Sequence, residues 1–244
     1  MSDVPVLLAQ FAAYYSIEET KELCKKMINA PMISPCQFHI ALPATYLDAM
    51  QGIEEFREIH FGADMMLDTN EKMFTGSIAI PFLQQHHAAF VLIGSKKERA
   101  FYRDLSFVNQ HIKQALSASI TSFVSILDPV DFSNDEQPKS ALQEQILAIL
   151  SGISPEELKN IYLVYDAAWI NQTPWDSRNE HLLNAYHLFK EVLEEQYKEE
   201  SNLLKIIYAI PTYSADVKNV MSSLPAAGYS LGTLSPATIH AAFL

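Results

Sequence analysis

The order of hydrophobic patterns predicts an α/β fold, a parallel sheet enclosed by helices and built as one domain over residues 1–244. Three observations predict it. Strand-like and helix-like segments alternate along the whole chain. One strand segment, Ala88–Ile93, is a nearly continuous apolar run, as expected of a parallel strand covered on both faces. The length of 244 residues with 49% hydrophobic side chains is enough to fill one large core.

The elements follow in order. Val4–Phe11 reads as a buried strand. Ser16-Ile17-Glu18-Glu19 is a capping box that opens a helix with Leu23 and Met27 on one face. Gln37–Leu42 is a strand ended by Pro43, and Thr45–Met50 is a short helix. Ile59–Ala63 is a strand, followed by a polar, Met-containing loop to Thr75. After Ala88–Ile93, Leu105, Val108, Ile112 and Ala115 recur at helical spacing. Ser122–Ile126 is a strand, and Leu142, Ile146 and Ile149 mark a helix. Ile161–Tyr165 is a strand. Ser177-Arg178-Asn179-Glu180 reads as another capping box, opening a long helix with Leu182, Tyr186, Phe189, Leu193 and Tyr197. Leu203–Ala209 is a strand, and Ser214 caps a helix with Val217, Val220 and Leu224. Tyr229–Leu231 is the last strand. Ser235-Pro236 starts the last helix, with proline where its missing N–H costs little. Pattern alone leaves a closed barrel and an open doubly wound sheet both standing. The absence of a Gly-rich turn after the first strand counts against the dinucleotide-binding version.

Composition excludes some functions. Lys plus Arg number 17 against 29 Asp plus Glu, a formal net charge of −12. Nucleic acids and anionic membranes call for a basic footprint, so neither is an expected partner. No stretch nears the roughly 20 apolar residues that span a bilayer. The apolar segment Val4–Tyr15 lacks the preceding Lys or Arg of a signal peptide. Two cysteines, Cys24 and Cys36, are too few for a disulfide framework. Both are expected to be small buried hydrophobes in a cytoplasmic protein.

Several motifs lie in register with one family. Phe74-Thr75-Gly76, Phe90-Val91-Leu92-Ile93-Gly94 and Glu98-Arg99 resemble the third loop and fourth strand of triosephosphate isomerases. Pro43-Ala44-Thr45-Tyr46-Leu47 matches the segment after strand two. Tyr165-Asp166-Ala167-Ala168-Trp169 resembles the end of strand six and the start of the mobile lid. Gly228 and Gly232 fall at the eighth strand and its phosphate loop. The resemblance covers about residues 4–244 and implies a (β/α)8 TIM barrel.

The same resemblance implies a set of catalytic positions that this chain fills differently. The family's glutamate base removes a proton next to a carbonyl, and a histidine and a lysine stabilise the oxyanion that forms. Here the lysine position is Ala12, the histidine position is Ser95 and the glutamate position is Asp166. Family phosphate loops hold their ligand through backbone N–H groups of glycines. At those positions stand Gln172 in the lid, Ala209-Ile210-Pro211 after strand seven, and Gly232 followed by Thr233. Gln172, Gly232 and Thr233 are therefore the candidate ligand-binding residues, and Pro211 has no N–H to give.

Each candidate has a plain reading beside the functional one. Asp166 is a base for an altered reaction or a solvated carboxylate at a barrel mouth. Ser95 donates to a substrate oxygen or, the favoured reading, bonds a nearby backbone group. Lys96 and Lys97 replace the missing positive charge or simply extend into water. Trp169 anchors the lid or packs in a loop. His86 and His87 are read as surface residues on a helix, since adjacent residues there diverge and no third metal ligand has suitable spacing. Tyr208, Phe11, Ile210 and Leu234 are expected near the mouth, making it more apolar than the family's. No cofactor and no metal are expected. Asp64–Ser77 keeps the length and the Thr75-Gly76 tip of the family's dimer loop, so a two-fold homodimer is expected. The expected function is a barrel that has lost isomerisation and serves binding or protein interaction. The alternatives are an isomerase-type enzyme of altered specificity and a weak triosephosphate isomerase, both using Asp166 as base.

Overall fold

The computed structural model describes residues 4–11, 15–29, 36–66, 78–101, 104–127, 137–166, 175–209 and 226–234, with the backbone alone at 97, 100, 101, 137–139, 175–179, 233 and 234. The first half contains β1 (Val6–Phe11), α1 (Ile17–Ile28), β2 (Gln37–Leu42), α2 (Leu47–Met50), β3 (Ile59–Ala63), α3 (Ile80–Gln85), β4 (Phe90–Ile93) and α4 (Lys96–Phe101). The second half contains α5 (Leu105–Ser117), β5 (Thr121–Leu127), α6 (Gln137–Ile149), β6 (Ile161–Asp166), α7 (Trp175–Tyr197), β7 (Lys205–Ala209) and β8 (Gly228–Leu234). The strands pair in chain order, each parallel to the next, and β8 returns to β1 to close the barrel. Closure decides the question that alternation left open, and the fold is a (β/α)8 TIM barrel.

Strand alternation builds two cores. Val6, Leu8, Ala41, Phe90, Phe123, Tyr162, Val164 and Ile207 fill the lumen. Leu7, Phe11, Ile40, Leu42, Leu163 and Tyr208 face the other way and pack with helix residues such as Met27, Ile112, Ile146 and Phe189. The lumen is therefore a packed interior rather than a pore.

Local signals place several elements. Ser16 caps α1 as expected: its Oγ accepts the Glu19 N–H at 3.2 Å, and Glu19 Oε2 accepts the Ser16 N–H at 2.8 Å. The bounds of β2 and β3 are those the sequence predicts. Other boundaries differ. The strand expected from Ala88 starts at Phe90, because Ala88 N–H still bonds Leu83 at 2.9 Å while His87 turns the chain with φ 52°. The strand expected from Leu203 starts at Lys205, since Leu203 closes a 3-10 turn over Lys198–Leu203. The helix expected to begin after Ser177 begins at Trp175, so Ser177 lies within it and cannot be the non-helical cap residue. A capping box absent from the sequence reading joins Ser154 and Glu157 at the turn Pro155–Asn160. The expected helices at Ser214 and Ser235 lie outside the described residues.

Two glycines are needed where β8 closes the ring. A Cβ on Gly228 would stand 2.1 Å from the Val6 carbonyl oxygen, so no side chain fits between β8 and β1 there. Gly232 has φ 65°, in the left-handed region glycine tolerates. It sits where the β1–β8 register slips, Leu8 pairing Ser230 but Gln10 pairing Thr233. The extra residue is a β-bulge at the C-terminal rim of the barrel.

Candidate functional site

The C-terminal ends of the strands form the mouth where this fold carries its chemistry. β4 ends there, and Gly94 leads into α4. Ser95 is bound to that helix start: its Oγ accepts the Glu98 N–H at 3.3 Å, and Glu98 Oε2 accepts the Ser95 N–H at 2.8 Å. This is a third capping box, Ser95-Lys96-Lys97-Glu98, visible in the sequence as Ser-x-x-Glu though not read there. Glu98 is partly buried, and desolvation holds its carboxyl above the ordinary range. The hydrogen bonds from Ser95 and Gly94 pull it back down, and nearby Asp64 pushes it up.

Arg99 locks the neighbouring strand ends. Its Nε donates to Gly94 O at 2.9 Å, Nη1 to Gln145 Oε1 at 2.7 Å and Nη2 to Ser125 O at 2.6 Å. Gln145 Nε2 in turn donates to Leu127 O at 2.8 Å. The guanidinium fork thus fastens β4, β5 and α6 together below the mouth. Arg99 fits the family segment in the sequence, but its partner Gln145 carried no sequence signal.

Asp166 is the last residue of β6. Tyr162 and Val164, four and two residues earlier, face the lumen, so alternation sets Asp166 on the inner face of the rim, half-buried. Gly232 and Thr233 lie in β8 beside β1, with Thr233 in register with Gln10. The structure therefore gathers Ser95, Asp166, Gly232 and Thr233 at one end of the barrel. Lys96, beside Ser95 on α4, is exposed. Ala12, Thr75, Gly76, Trp169, Gln172, Ile210 and Pro211 lie outside the described residues.

The expected apolar lining is corrected at two positions. Phe11 is 1% exposed and Tyr208 0% exposed, and both belong to the outer core between barrel and helices. Tyr208 hydroxyl donates to Leu182 O on α7 at 3.0 Å. Ile207 and Ala209 take the inward positions of β7, so Tyr208 between them must face outward. His86 and His87 are not on a helix: His86 caps the end of α3 and His87 follows it at positive φ. His86 Nδ1 lies 2.8 Å from Asp48 at the N-terminal end of the barrel. Cys24 is buried, whereas Cys36 is only partly so, and desolvation pushes their thiols up to about 12 and about 11. Among the described residues, no three His, Cys, Asp or Glu are grouped to hold a metal. None of the described helices is long and apolar enough to cross a membrane.

A polar group at the opposite end of the lumen escaped the sequence reading. His39 is 8% exposed and stacks on His60, ring centroids 4.6 Å apart and planes 26° apart. It also meets Phe90, Phe123 and Tyr162 at 5.4, 5.3 and 6.4 Å. Lys205 Nζ lies 3.4 Å from the Tyr162 hydroxyl and 5.4 Å from its ring centre. Burial, with His60 and Lys205 nearby, lowers the His39 pKa to about 4 although a Gln37 carbonyl contact opposes the shift. Histidines on adjacent strands carry no pairing signal until strand register is known.

Comparison with known proteins agrees with the architecture. The triosephosphate isomerase family model matches residues 5–239. The chain is 24% identical over 196 residues to the triosephosphate isomerase of Protochlamydia amoebophila, covering 80% of this chain and 74% of that one. It is 23% identical over 236 residues to that of Geotalea uraniireducens, covering 95% and 93%. It is 21% identical over 225 residues to that of Lactobacillus helveticus, covering 91% and 89%. With the family model matched across nearly the whole chain on a closed eight-stranded barrel, the chain belongs to the triosephosphate isomerase family.

Proposed function

We propose that this barrel has lost triose phosphate isomerisation and now serves in binding or protein interaction. The observation that carries the reading is Ser95. At the position where the resemblance implies a histidine electrophile stands a hydroxyl whose acceptor site takes the Glu98 N–H. Ala12 supplies no charge at the lysine position, and Asp166 is one methylene shorter than the base it replaces. Removal of one oxyanion donor costs about 10²–10³ in rate, and a misplacement of about 1 Å about 10². These losses need not multiply, but together they leave little isomerase activity.

The test is a coupled assay on extensively purified protein. No interconversion of glyceraldehyde 3-phosphate and dihydroxyacetone phosphate above background is expected. A robust rate that survives purification and vanishes in Asp166→Asn overturns the reading. The second reading is an enzyme of altered specificity with Asp166 as general base, favoured by its place on the inner rim at the end of β6. A thermal-shift screen of metabolites separates the two, because a ligand of the native state must raise its stability.

The same reading includes a two-fold homodimer built through the loop that leaves β3 at Asp64. Its support is the loop's length and its Thr75-Gly76 tip in the sequence. Light scattering at micromolar concentration is expected to give twice the chain mass of 27.5 kDa. A monomer alone at that concentration refutes it.

A further inference from the structure

A groove opens between the C-terminal ends of α6 and α7, at the end of the barrel opposite Asp166. It holds a cavity of about 420 Å³ lined by Ile146, Leu147, Leu150, Ile153, Gln196 and Tyr197, with Ser151 and Gly152 closing one side. Ile146, Leu150, Ile153 and Tyr197 are buried and make an apolar floor. Hydrogen bonds hold that floor in place. Tyr197 hydroxyl donates to Leu150 O at 3.0 Å, and Asn109 Nδ2 donates to Ile149 O at 2.7 Å and to Ser151 O at 3.0 Å. Gly152 turns the chain there at φ 68°, which glycine tolerates. The groove is thus preformed, and its volume is in the ~300–1,000 Å³ range of ligand pockets. Leu147 stands 39% exposed on its lip, and Leu203, 40% exposed, ends the 3-10 turn that follows Tyr197. That turn packs against α7 and against the turn Pro155–Asn160.

The rim of this groove is acidic. Glu144 lies one turn before Leu147, and Glu199 and Glu200 lie one turn after Gln196 and Tyr197. All three are exposed, as are Glu194 and Glu195. Among the described residues none of these five carboxylates is ion-paired. Lys113, whose Nζ approaches Gly152, and Lys198 oppose them only in part. We propose that the groove docks a basic amphipathic helix of a partner protein, its apolar side chains entering the cavity and its Lys or Arg meeting the glutamates. Charge selects this occupant. A second copy of the chain, at net charge −12, and an anionic membrane are both repelled by the same rim. A helix fits better than an added strand, because the closed barrel leaves no sheet edge to pair. The proposal rests on the interaction role proposed above and gives it a place. Peptide binding is read without any isomerase assay, so failure of the groove and failure of that reading are distinguishable.

The test titrates the full chain into a fluorescein-labelled helical peptide of leucine and lysine, about 18 residues or five turns long, with leucine on one face. Two control peptides have the same residues in scrambled order, or glutamate in place of lysine. Fluorescence polarisation is expected to saturate with the amphipathic basic peptide and with neither control. Leu147→Gln should weaken binding about fivefold, the loss of one apolar anchor. Glu199→Gln with Glu200→Gln should weaken it about tenfold at low salt and flatten its dependence on sodium chloride. Both sets of positions are exposed, and circular dichroism checks each variant's fold. Glu18→Gln with Glu22→Gln removes the same charge from α1 and should leave binding unchanged. Equal binding of the scrambled peptide overturns the proposal, as does an α1 variant that loses as much affinity as the groove variants. So do wild-type affinity in both groove variants, no binding at all, and self-association of the free chain that Leu147→Gln abolishes.

Discussion

Combining Ala12→Lys, Ser95→His and Asp166→Glu is expected to leave triose phosphate interconversion at background. If only the reacting side chains had been lost, restoring them should recover substantial turnover. The phosphate positions argue otherwise. Gln172 and Ile210 bring bulk where the resemblance implies glycine, and Pro211 removes a backbone donor. Binding energy from a remote phosphate helps hold the reacting carbons against the base and closes the lid. Ser95→His also removes the hydroxyl that accepts the Glu98 N–H, a cap worth about 1 kcal/mol. A second variant adds Gln172→Gly, Ala209→Gly, Ile210→Gly and Pro211→Ser. It is expected to exceed the triple variant by roughly 10²-fold or more, the scale of a positioning defect. Steady-state kinetics with circular dichroism as the folding check reads the result. Strong turnover with a low KM in the triple variant alone refutes this account of the phosphate loops.

Acid is expected to weaken the barrel through His39. The folded protein keeps this imidazole neutral down to about pH 4, against an ordinary value of 6.5. Between those limits the unfolded chain binds a proton that the folded barrel refuses. Stability therefore falls as pH drops through 6.5 and levels off below about 4. A difference from 6.5 to about 4 corresponds to about 3 kcal/mol at ~1.36 kcal/mol per unit. His39→Phe keeps a ring against Phe90, Phe123 and Tyr162 but carries no titratable group. Urea unfolding in chloride buffers at pH 7, 5.5 and 4 compares the two proteins. The wild type is expected to lose about 3 kcal/mol more than His39→Phe over that range. Equal losses in both would show that His39 does not govern the acid limb.

The elements legible in the sequence were those with strong local signals. β2 and β3 are bounded as their apolar runs and Pro43 indicate, and the Ser16 box starts α1 where its spacing demands. Boundaries failed where apolar residues continued past the ladder. Ala88 looks like strand, yet its N–H still bonds Leu83 at the end of α3. At the site, the identities of Ala12, Ser95 and Asp166 are sequence facts, and it is the resemblance that implies other residues there. The Ser95–Glu98 cap was legible as well, by the same Ser-x-x-Glu spacing that marked Ser16. Gln145 was not, because its value lies in reaching Arg99 and Leu127 from a different element.

By itself the sequence determined the alternation of strand and helix, the Ser16 cap and the identities of the residues at the positions where the resemblance implies catalysis. Those properties are set by neighbours within a few positions along the chain. Barrel closure and the choice of inward face were decided by tertiary structure. Alternation divides a strand into two faces without saying which one meets the lumen. Tyr208 reads as a mouth residue until Ile207 and Ala209 occupy the inside and leave it bonded to Leu182 on α7. His39 reads as an ordinary strand residue until register sets it beside His60 and over Phe90, Phe123 and Tyr162. Its resistance to protonation follows from that burial and from the bases that closure brings to one end of the barrel, which no local spacing contains.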